Sequence, residues 1–204
     1  MKVISSKELL VNAISIVQRA VSTKNNISLL DGILLEADGV FKMTGNDLEI
    51  GIECNIPADI RREGSIVINS KIFGDIIRKM PDSEILIELL DNNDVLIECE
   101  NSVFKIKGNP SDEYPLLPEI EAEKSFKISQ KIAKDMIRQT IFSVGDDEDR
   151  KILTGTLIES DGNELVFVAI DGHRMAVRKT ANGVQDTSFS VVVPGKTLNE
   201  ISKI

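Results

Sequence analysis

A repeated pattern of residues constrains the fold of this 204-residue chain more than any other feature. The stretch DGILLEADG is matched later by TGTLIESDG, which places Gly32 and Gly155 in equivalent positions at an offset of 123. Two further pairs of segments follow in the same order at offsets of 124 and 125: 3–17 with 127–141, and 65–80 with 190–204. Three matches in one order at nearly one offset predict two copies of a single folding module.

The two copies differ in length. In the first, a helix-like segment ending at Met80 is followed by EILIELL, DVLIECE and SVFKIKG, three strand-like runs separated by turn residues. The second copy reaches the corresponding point at Ile204. We therefore expect a complete first module at 1–122, an incomplete second module at 123–204 and a longer parent protein.

Hydrophobic spacing predicts the same coarse pattern in each module. Asp38-Gly39 and Gly45-Asn46 are turn signals between strand-like runs of the first copy. The predicted elements are helices at 6–22, 70–80, 129–142 and 195–203, with early strands at 27–36, 39–44 and 47–56. Repeated strand–helix–three-strand units, with helices packed on antiparallel sheets, make an α+β fold.

Composition argues against several functional classes. The net charge of −9 means that the whole surface is not expected to cover nucleic acid or anionic lipid, although one face could do so. Two distant cysteines and the lone His173 do not supply the roughly four ligands of a zinc site, so we expect no metal or cofactor. The cysteine usage is typical of a reducing cytoplasm, and no apolar run approaches the ~20 residues of a membrane span.

Positive charge is concentrated on the predicted helices. These carry ten cations and four anions, whereas the remaining residues carry 14 cations and 29 anions. A shared positive face on four helices favours contact with a phosphate backbone, while an ordinary solvated helix surface remains the alternative. The cations are Lys7, Arg19, Lys71, Arg78, Lys79, Lys131, Lys134, Arg138, Lys196 and Lys203.

Catalytic motifs are scarce. The chain has no GxxxxGK[ST], GxGxxG, HExxH or GxSxG pattern. His173 could act as a general base, but no serine or cysteine partner for nucleophilic catalysis is evident. We expect no catalytic residue, and a hydrolase that uses His173 as its base is the weakest of the functional hypotheses.

Several motifs together resemble one protein family over the whole chain. They are AIDGHRMAV at 169–177, RKILTGTLIE at 150–159, FSVVVPGK at 189–196, TGNDLEIGI at 44–52 and DEYPLLPE at 112–119. This set is similar to the bacterial DNA polymerase III β subunit, the sliding-clamp family. Members of that family have three modules per chain and close head-to-tail into a dimeric ring around duplex DNA, so the resemblance implies that the third module is absent here.

The resemblance also implies where partners would bind. It places DNA on the four basic helices and on the loop at Lys24, and the ring-closing contacts of an edge strand at Phe104 and Ile106. It further implies a groove that docks short peptide motifs of the replicative polymerase and the clamp loader. The groove residues are Leu153, Ile170, Asp171, Gly172, His173, Arg174 and Met175.

The first hypothesis is thus a non-enzymatic processivity factor that holds duplex DNA without sequence preference and tethers partners to it. The alternative, from a different class, is a protein-interaction scaffold whose basic helices are only a solvated surface. Retention on DNA distinguishes the two.

Overall fold

The structure is a computed structural model that describes residues 1–21, 27–118, 126–146, 148–181 and 188–204. The chain divides into two compact units, Met1–Pro118 and Glu119–Ile204, hereafter unit 1 and unit 2. None of the helices described contains an apolar stretch sufficient to cross a lipid bilayer.

Among its described residues, unit 1 contains nine strands and two α-helices. The helices are α1 (Lys7–Val17) and α2 (Ser70–Lys79). The strands are β1 (Lys2–Ser6), β2 (Gly32–Asp38), β3 (Val40–Asn46), β4 (Gly51–Ile56), β5 (Asp59–Arg62), β6 (Gly64–Asn69), β7 (Glu84–Leu89), β8 (Asp94–Cys99) and β9 (Ser102–Asn109).

The nine strands form one sheet in the order β4-β3-β2-β6-β9-β8-β7-β1-β5, and each registered pair is antiparallel. Both halves of the sheet pack against the two helices in a single core. Ile14 of α1 and Phe73 of α2 lie in that core together with Leu35 of β2 and Ile87 of β7. The apolar stripe of each helix is therefore buried, which leaves its polar stripe for solvent or a ligand.

Side chains at the helix starts explain where α1 and α2 begin. The hydroxyl of Ser6 accepts a hydrogen bond from the Leu9 amide at 3.4 Å, and Asn69 Oδ1 accepts one from the Ile72 amide at 3.0 Å. Both are preferred N-cap residues. Gly74 lets α2 approach α1, because a Cβ at that position would lie 2.7 Å from Gln18 Nε2 and 3.3 Å from Ile14 Cγ2.

Unit 2 has two α-helices and four strands in the residues described. The helices are α3 (Gln130–Thr140) and α4 (Gly195–Ile201). The strands are β10 (Gly155–Asp161), β11 (Leu165–Ile170), β12 (Met175–Thr180) and β13 (Ser188–Pro194), in the sheet order β12-β11-β10-β13. Met136 and Ile137 of α3 and Leu198 of α4 pack against Phe167 and Leu165 of the sheet.

The internal repeat is visible in the topology. The order β12-β11-β10-β13 in unit 2 reproduces β4-β3-β2-β6 in unit 1, and α3 and α4 take the chain positions of α1 and α2. The predicted α+β class, with helices on antiparallel sheets, is confirmed, and all four predicted helices are present.

Four details of the sequence prediction are wrong. The α-helix predicted to reach residue 22 ends at Val17 and continues as a 3-10 turn to Ala20. Residues 28–31 form another 3-10 turn before β2, and β5 was not predicted. Gly45-Asn46 lies inside β3, because the turn comes later, where the Asp47 carboxylate accepts the amides of Glu49 and Ile50.

Candidate functional site

The basic surface of unit 1 lies mainly on α2. Lys71, Arg78 and Lys79 are exposed on this helix. Arg78 donates to Gln18 Oε1 at 2.5 Å and pairs with Asp75 at 3.5 Å, which fixes its guanidinium near α1 while leaving it accessible. The three cations that the sequence placed on this helix are thus on its surface.

The first helical segment exposes less positive charge at the surface than the sequence suggested. Lys7 is half-buried, and its Nζ donates to the carbonyl oxygen of Met80 at 2.6 Å, at the carboxyl end of α2. A cation at this position also matches the negative end of the helix dipole. Arg19 is half-buried in the 3-10 turn after α1. Lys24 lies outside the described residues.

Unit 2 carries the corresponding cations on α3 and α4. Lys131 and Arg138 are exposed and Lys134 is half-buried. On and just after α4, Lys196 and Lys203 are exposed, and Lys203 pairs with Glu200 at 2.6 Å. Lysine and arginine on helix surfaces can contact phosphates without reading bases.

The 171–174 loop of unit 2 is held by one carboxylate. Asp171 Oδ1 accepts hydrogen bonds from the amides of His173 and Arg174 at 3.0 and 3.1 Å, and Oδ2 accepts from Arg174 Nε at 2.7 Å. These donors lower the pKa of Asp171 to about 2, with the His173 amide the main cause. Gly172 has a φ of 92°, a left-handed conformation that favours glycine.

A cleft of about 350 Å³ lies beside this loop. It is lined by Leu153, Asp171, Gly172 and His173, together with residues of the 145–150 segment. The predicted groove residues Leu153, Asp171, Gly172 and His173 therefore come together. Ile170 and Met175 form the last registered pair of β11 and β12 before the loop, and Arg174 closes that loop.

Three apolar side chains near the loop are exposed. Met175 is 63% exposed and Ile170 39%. Phe142, 58% exposed, lies under the Arg174 guanidinium at 5.9 Å from its ring centroid. Exposed apolar side chains beside a polar loop can receive an apolar segment of a partner. The sequence analysis did not include Phe142 among the groove residues. Its signal in the sequence was an apolar residue placed just after the end of α3.

The strand predicted to close a ring, β9, is not a sheet edge along its whole length. Residues 102–107 pair with β8, whereas Gly108 and Asn109 pair with β6. Phe104 is 42% exposed, but Ile106 packs against the core of unit 1. In the open part of the strand, Phe104 is therefore more accessible to another chain than Ile106 is.

Comparison with known proteins assigns the chain to a family. The family model for the N-terminal domain of the DNA polymerase III beta subunit matches residues 1–118, and that for the central domain matches residues 127–204. The chain belongs to the DNA polymerase III beta subunit family. The resemblance found in the sequence motifs is thereby confirmed.

Curated relatives of this chain are named beta sliding clamp. The chain is 40% identical to the one from Halalkalibacterium halodurans and 38% identical to the one from Bacillus subtilis. In both cases the whole chain is aligned with 57% of the relative. The chain thus spans somewhat more than half the length of these relatives.

Solved structures of the family share the fold. A putative DNA polymerase III beta subunit from Eubacterium rectale superposes with a TM-score of 0.95 at 41% identity. The DNA polymerase sliding clamp from Bacillus subtilis gives 0.93 at 37% identity. Each comparison covers all of this chain and 56% of the solved one.

Proposed function

We propose that this chain is the DNA-holding and partner-binding part of a sliding clamp, a non-catalytic processivity factor. The observation that carries the proposal is the match of both units to the beta subunit family, whose curated relatives are named beta sliding clamp. We further propose, from the family resemblance, that duplex DNA passes through a head-to-tail dimeric ring of such modules.

Duplex DNA is the first proposed partner. Exposed cations lie on α2 of unit 1 and on α3 and α4 of unit 2, within a chain of net charge −9. Each phosphate contact releases condensed counterions, so binding that uses these helices depends steeply on salt and not on base sequence. An acidic remainder of the surface disfavours contact of DNA elsewhere.

A salt titration of binding to duplexes of two unrelated sequences tests this proposal. We expect weak binding, equal on both duplexes, that falls steeply with salt. Reversing the three cations of α3, Lys131→Glu with Lys134→Glu and Arg138→Glu, should weaken it strongly. The matched control reverses three strand lysines and changes the net charge equally: Lys105→Glu, Lys107→Glu and Lys179→Glu. Equal loss in both triple variants would mean that only net charge matters and would favour the scaffold alternative.

Short peptide motifs of the replicative polymerase and the clamp loader are the second proposed partners. Leu153 lines the cleft beside the 171–174 loop, Met175 is exposed where β12 begins, and the loop side chains supply a polar rim. Concave apolar sites with a few polar groups suit peptide anchors. The flexible side chain of Met175 can adapt to several partners.

Binding of a fluorescent peptide from the clamp-binding segment of a bacterial replicative polymerase tests this site. Met175→Lys should weaken binding at least tenfold, because it places a charge where the peptide's apolar side chains would pack. Val40→Lys, at another exposed apolar position of the chain, is the matched control and should leave binding unchanged. Equal affinities for the three proteins would show that the peptide binds elsewhere.

Assembly of the proposed ring would use the open part of β9. We expect the present chain to be a monomer or a weak dimer, because an open strand with an exposed Phe104 favours weak association. Sedimentation compares the protein with Phe104→Asp. A tight dimer that this change leaves intact would contradict the assignment.

The hydrolase hypothesis has its own test. If the protein showed turnover of any substrate, His173→Ala should remove it. Turnover that persists in the variant would rule out His173 as the base.

A further inference from the structure

Unit 1 contains a loop with the same construction as the 171–174 loop of unit 2. Asp47 Oδ1 accepts the amides of Glu49 and Ile50 at 3.0 and 2.7 Å, as Asp171 Oδ1 accepts the amides of His173 and Arg174. The second residue of each loop has a positive φ, 72° at Leu48 and 92° at Gly172. The two loops are counterparts in the internal repeat.

The counterparts of the groove residues follow from the same alignment. Asn46 and Gly51 form the last registered pair of β3 and β4 before the unit 1 loop, as Ile170 and Met175 do in unit 2. At the repeat offset of 123, Leu30 corresponds to Leu153. Unit 1 therefore has its own version of the groove surface, formed by Leu30, Asn46, Gly51 and the loop between the last two.

In unit 1 this surface is covered by the segment 111–117, hereafter the strap. Asn46 Nδ2 donates to the carbonyl oxygen of Pro115 at 2.9 Å. Leu117 lies against Gly51 so closely that a Cβ on the glycine would be 2.1 Å from Leu117 Cδ2. The strap thus contacts two of the counterpart positions directly.

The third contact is the strap's aromatic anchor. Tyr114 is 3% exposed and packs with Leu30, Leu34 and Val67 in a small core separate from the main one. Its hydroxyl donates to the carbonyl oxygen of Thr44 at 3.3 Å. A second hydrogen bond, 2.7 Å long, joins the hydroxyls of Ser111 and Ser65.

Burial differs accordingly between the two units. Leu30 is fully buried, whereas its counterpart Leu153 is only half-buried. Asn46 is 6% exposed, whereas its counterpart Ile170 is 39% exposed. At these two positions the surface is filled in unit 1 and open in the described part of unit 2, whereas Gly51 and its counterpart Met175 are both exposed.

We propose that the strap is an intramolecular peptide ligand that fills unit 1's own version of the groove and keeps partner peptides off it. The ligand class is an extended segment with an aromatic anchor followed three residues later by leucine. The strap is continuous with β9, so its local concentration is high, and a free peptide must compete with it. That the groove of unit 2 binds partner peptides rests on the proposed function. That the strap occupies the corresponding surface of unit 1 does not.

The probe is a fluorescent peptide with the strap's own sequence, SDEYPLLP, residues 111–118. In the double variant Tyr114→Ser with Leu117→Ser, the strap loses both apolar anchors and should leave the surface. We expect this variant to bind the probe at least tenfold more tightly than the unaltered protein. A probe with serine in place of its tyrosine is the matched control and should not bind.

A second variant guards against misfolding of the first. Leu117→Ser alone leaves the Tyr114 anchor and the surface itself unaltered, removes the strap side chain that packs on Gly51, and should also strengthen probe binding, by a smaller factor. Circular dichroism identifies which variants retain the fold. If the folded variants bind the probe no better than the unaltered protein, the proposal is wrong.

Adding Met175→Lys to each variant separates the two sites. Binding that survives this change takes place on unit 1 and supports the proposal. Binding that the change abolishes takes place in the unit 2 groove, which would overturn the strap proposal and support the proposed peptide site. If Met175→Lys removes binding of the polymerase peptide but not of the strap peptide, the polymerase peptide binds to unit 2 and the strap peptide binds to unit 1.

Discussion

Tyr114 offers a direct measurement of strap docking, because the chain has one tyrosine and no tryptophan. Burial raises the pKa of Tyr114 to about 12, compared with about 10 for a free tyrosine. The neutral phenol is favoured when the strap is docked, so docking has its full stability below about pH 10 and loses it as the pH rises toward 12. A difference of about two pH units corresponds to roughly 3 kcal/mol.

Ultraviolet absorbance of the tyrosinate form measures this directly. We expect a midpoint near pH 12 in the folded protein and near pH 10 in the free SDEYPLLP peptide. Tyr114→Phe removes the ionisable hydroxyl, so its melting temperature should fall less than that of the unaltered protein between about pH 9 and about pH 11. A tyrosine midpoint near 10 in protein that circular dichroism shows to be folded would refute the docked position of Tyr114.

Three further changes have expected results. Gly74→Leu should destabilise unit 1 by about 1–3 kcal/mol in urea unfolding, because its side chain would meet Ile14 and Gln18 of the first helical segment. Leu165→Ala should cost unit 2 about 2–5 kcal/mol by leaving a cavity in its core. The low pKa of Asp171 means that its ionised carboxylate stabilises the loop above about pH 4, and this contribution is lost as the pH falls toward 2. Nuclear magnetic resonance of the His173 amide should show that loss as a change of chemical shift in acid. In Asp171→Asn the shift of this amide should depend less on pH. An amide resonance that does not move in acid would contradict the hydrogen bond.

Much of the fold was predictable because it depends on short-range patterns. Hydrophobic spacing predicted a helix at the position of α1, and its residues Leu10, Ile14 and Val17 are fully buried or nearly so, whereas Leu9 is exposed. The repeat predicted that the second unit would reproduce the first, and the strand orders agree. The turn at Gly45-Asn46 was wrong because the decisive group is the Asp47 carboxylate, one residue later.

The candidate groove could be located only in part. The motif around His173 identified the loop, and the structure places Leu153, Asp171, Gly172 and His173 around one cleft. Phe142 was not foreseen, because its place beside Arg174 depends on how the chain continues after α3. The groove residues and the DNA-facing helices stay predictions until the variants above are measured.

The sequence by itself determined the repeat, the helices with their basic residues, and the family, since each depends on residue order or on spacing within one element. Only the tertiary structure decided that Lys7 bonds to Met80, that β9 joins β6, and that Tyr114 fills unit 1's version of the groove. Such contacts join residues tens of positions apart, and the amphipathic pattern is compatible with many of them. Packing and the need to satisfy buried polar groups select one arrangement, and neither is visible until the chain has folded.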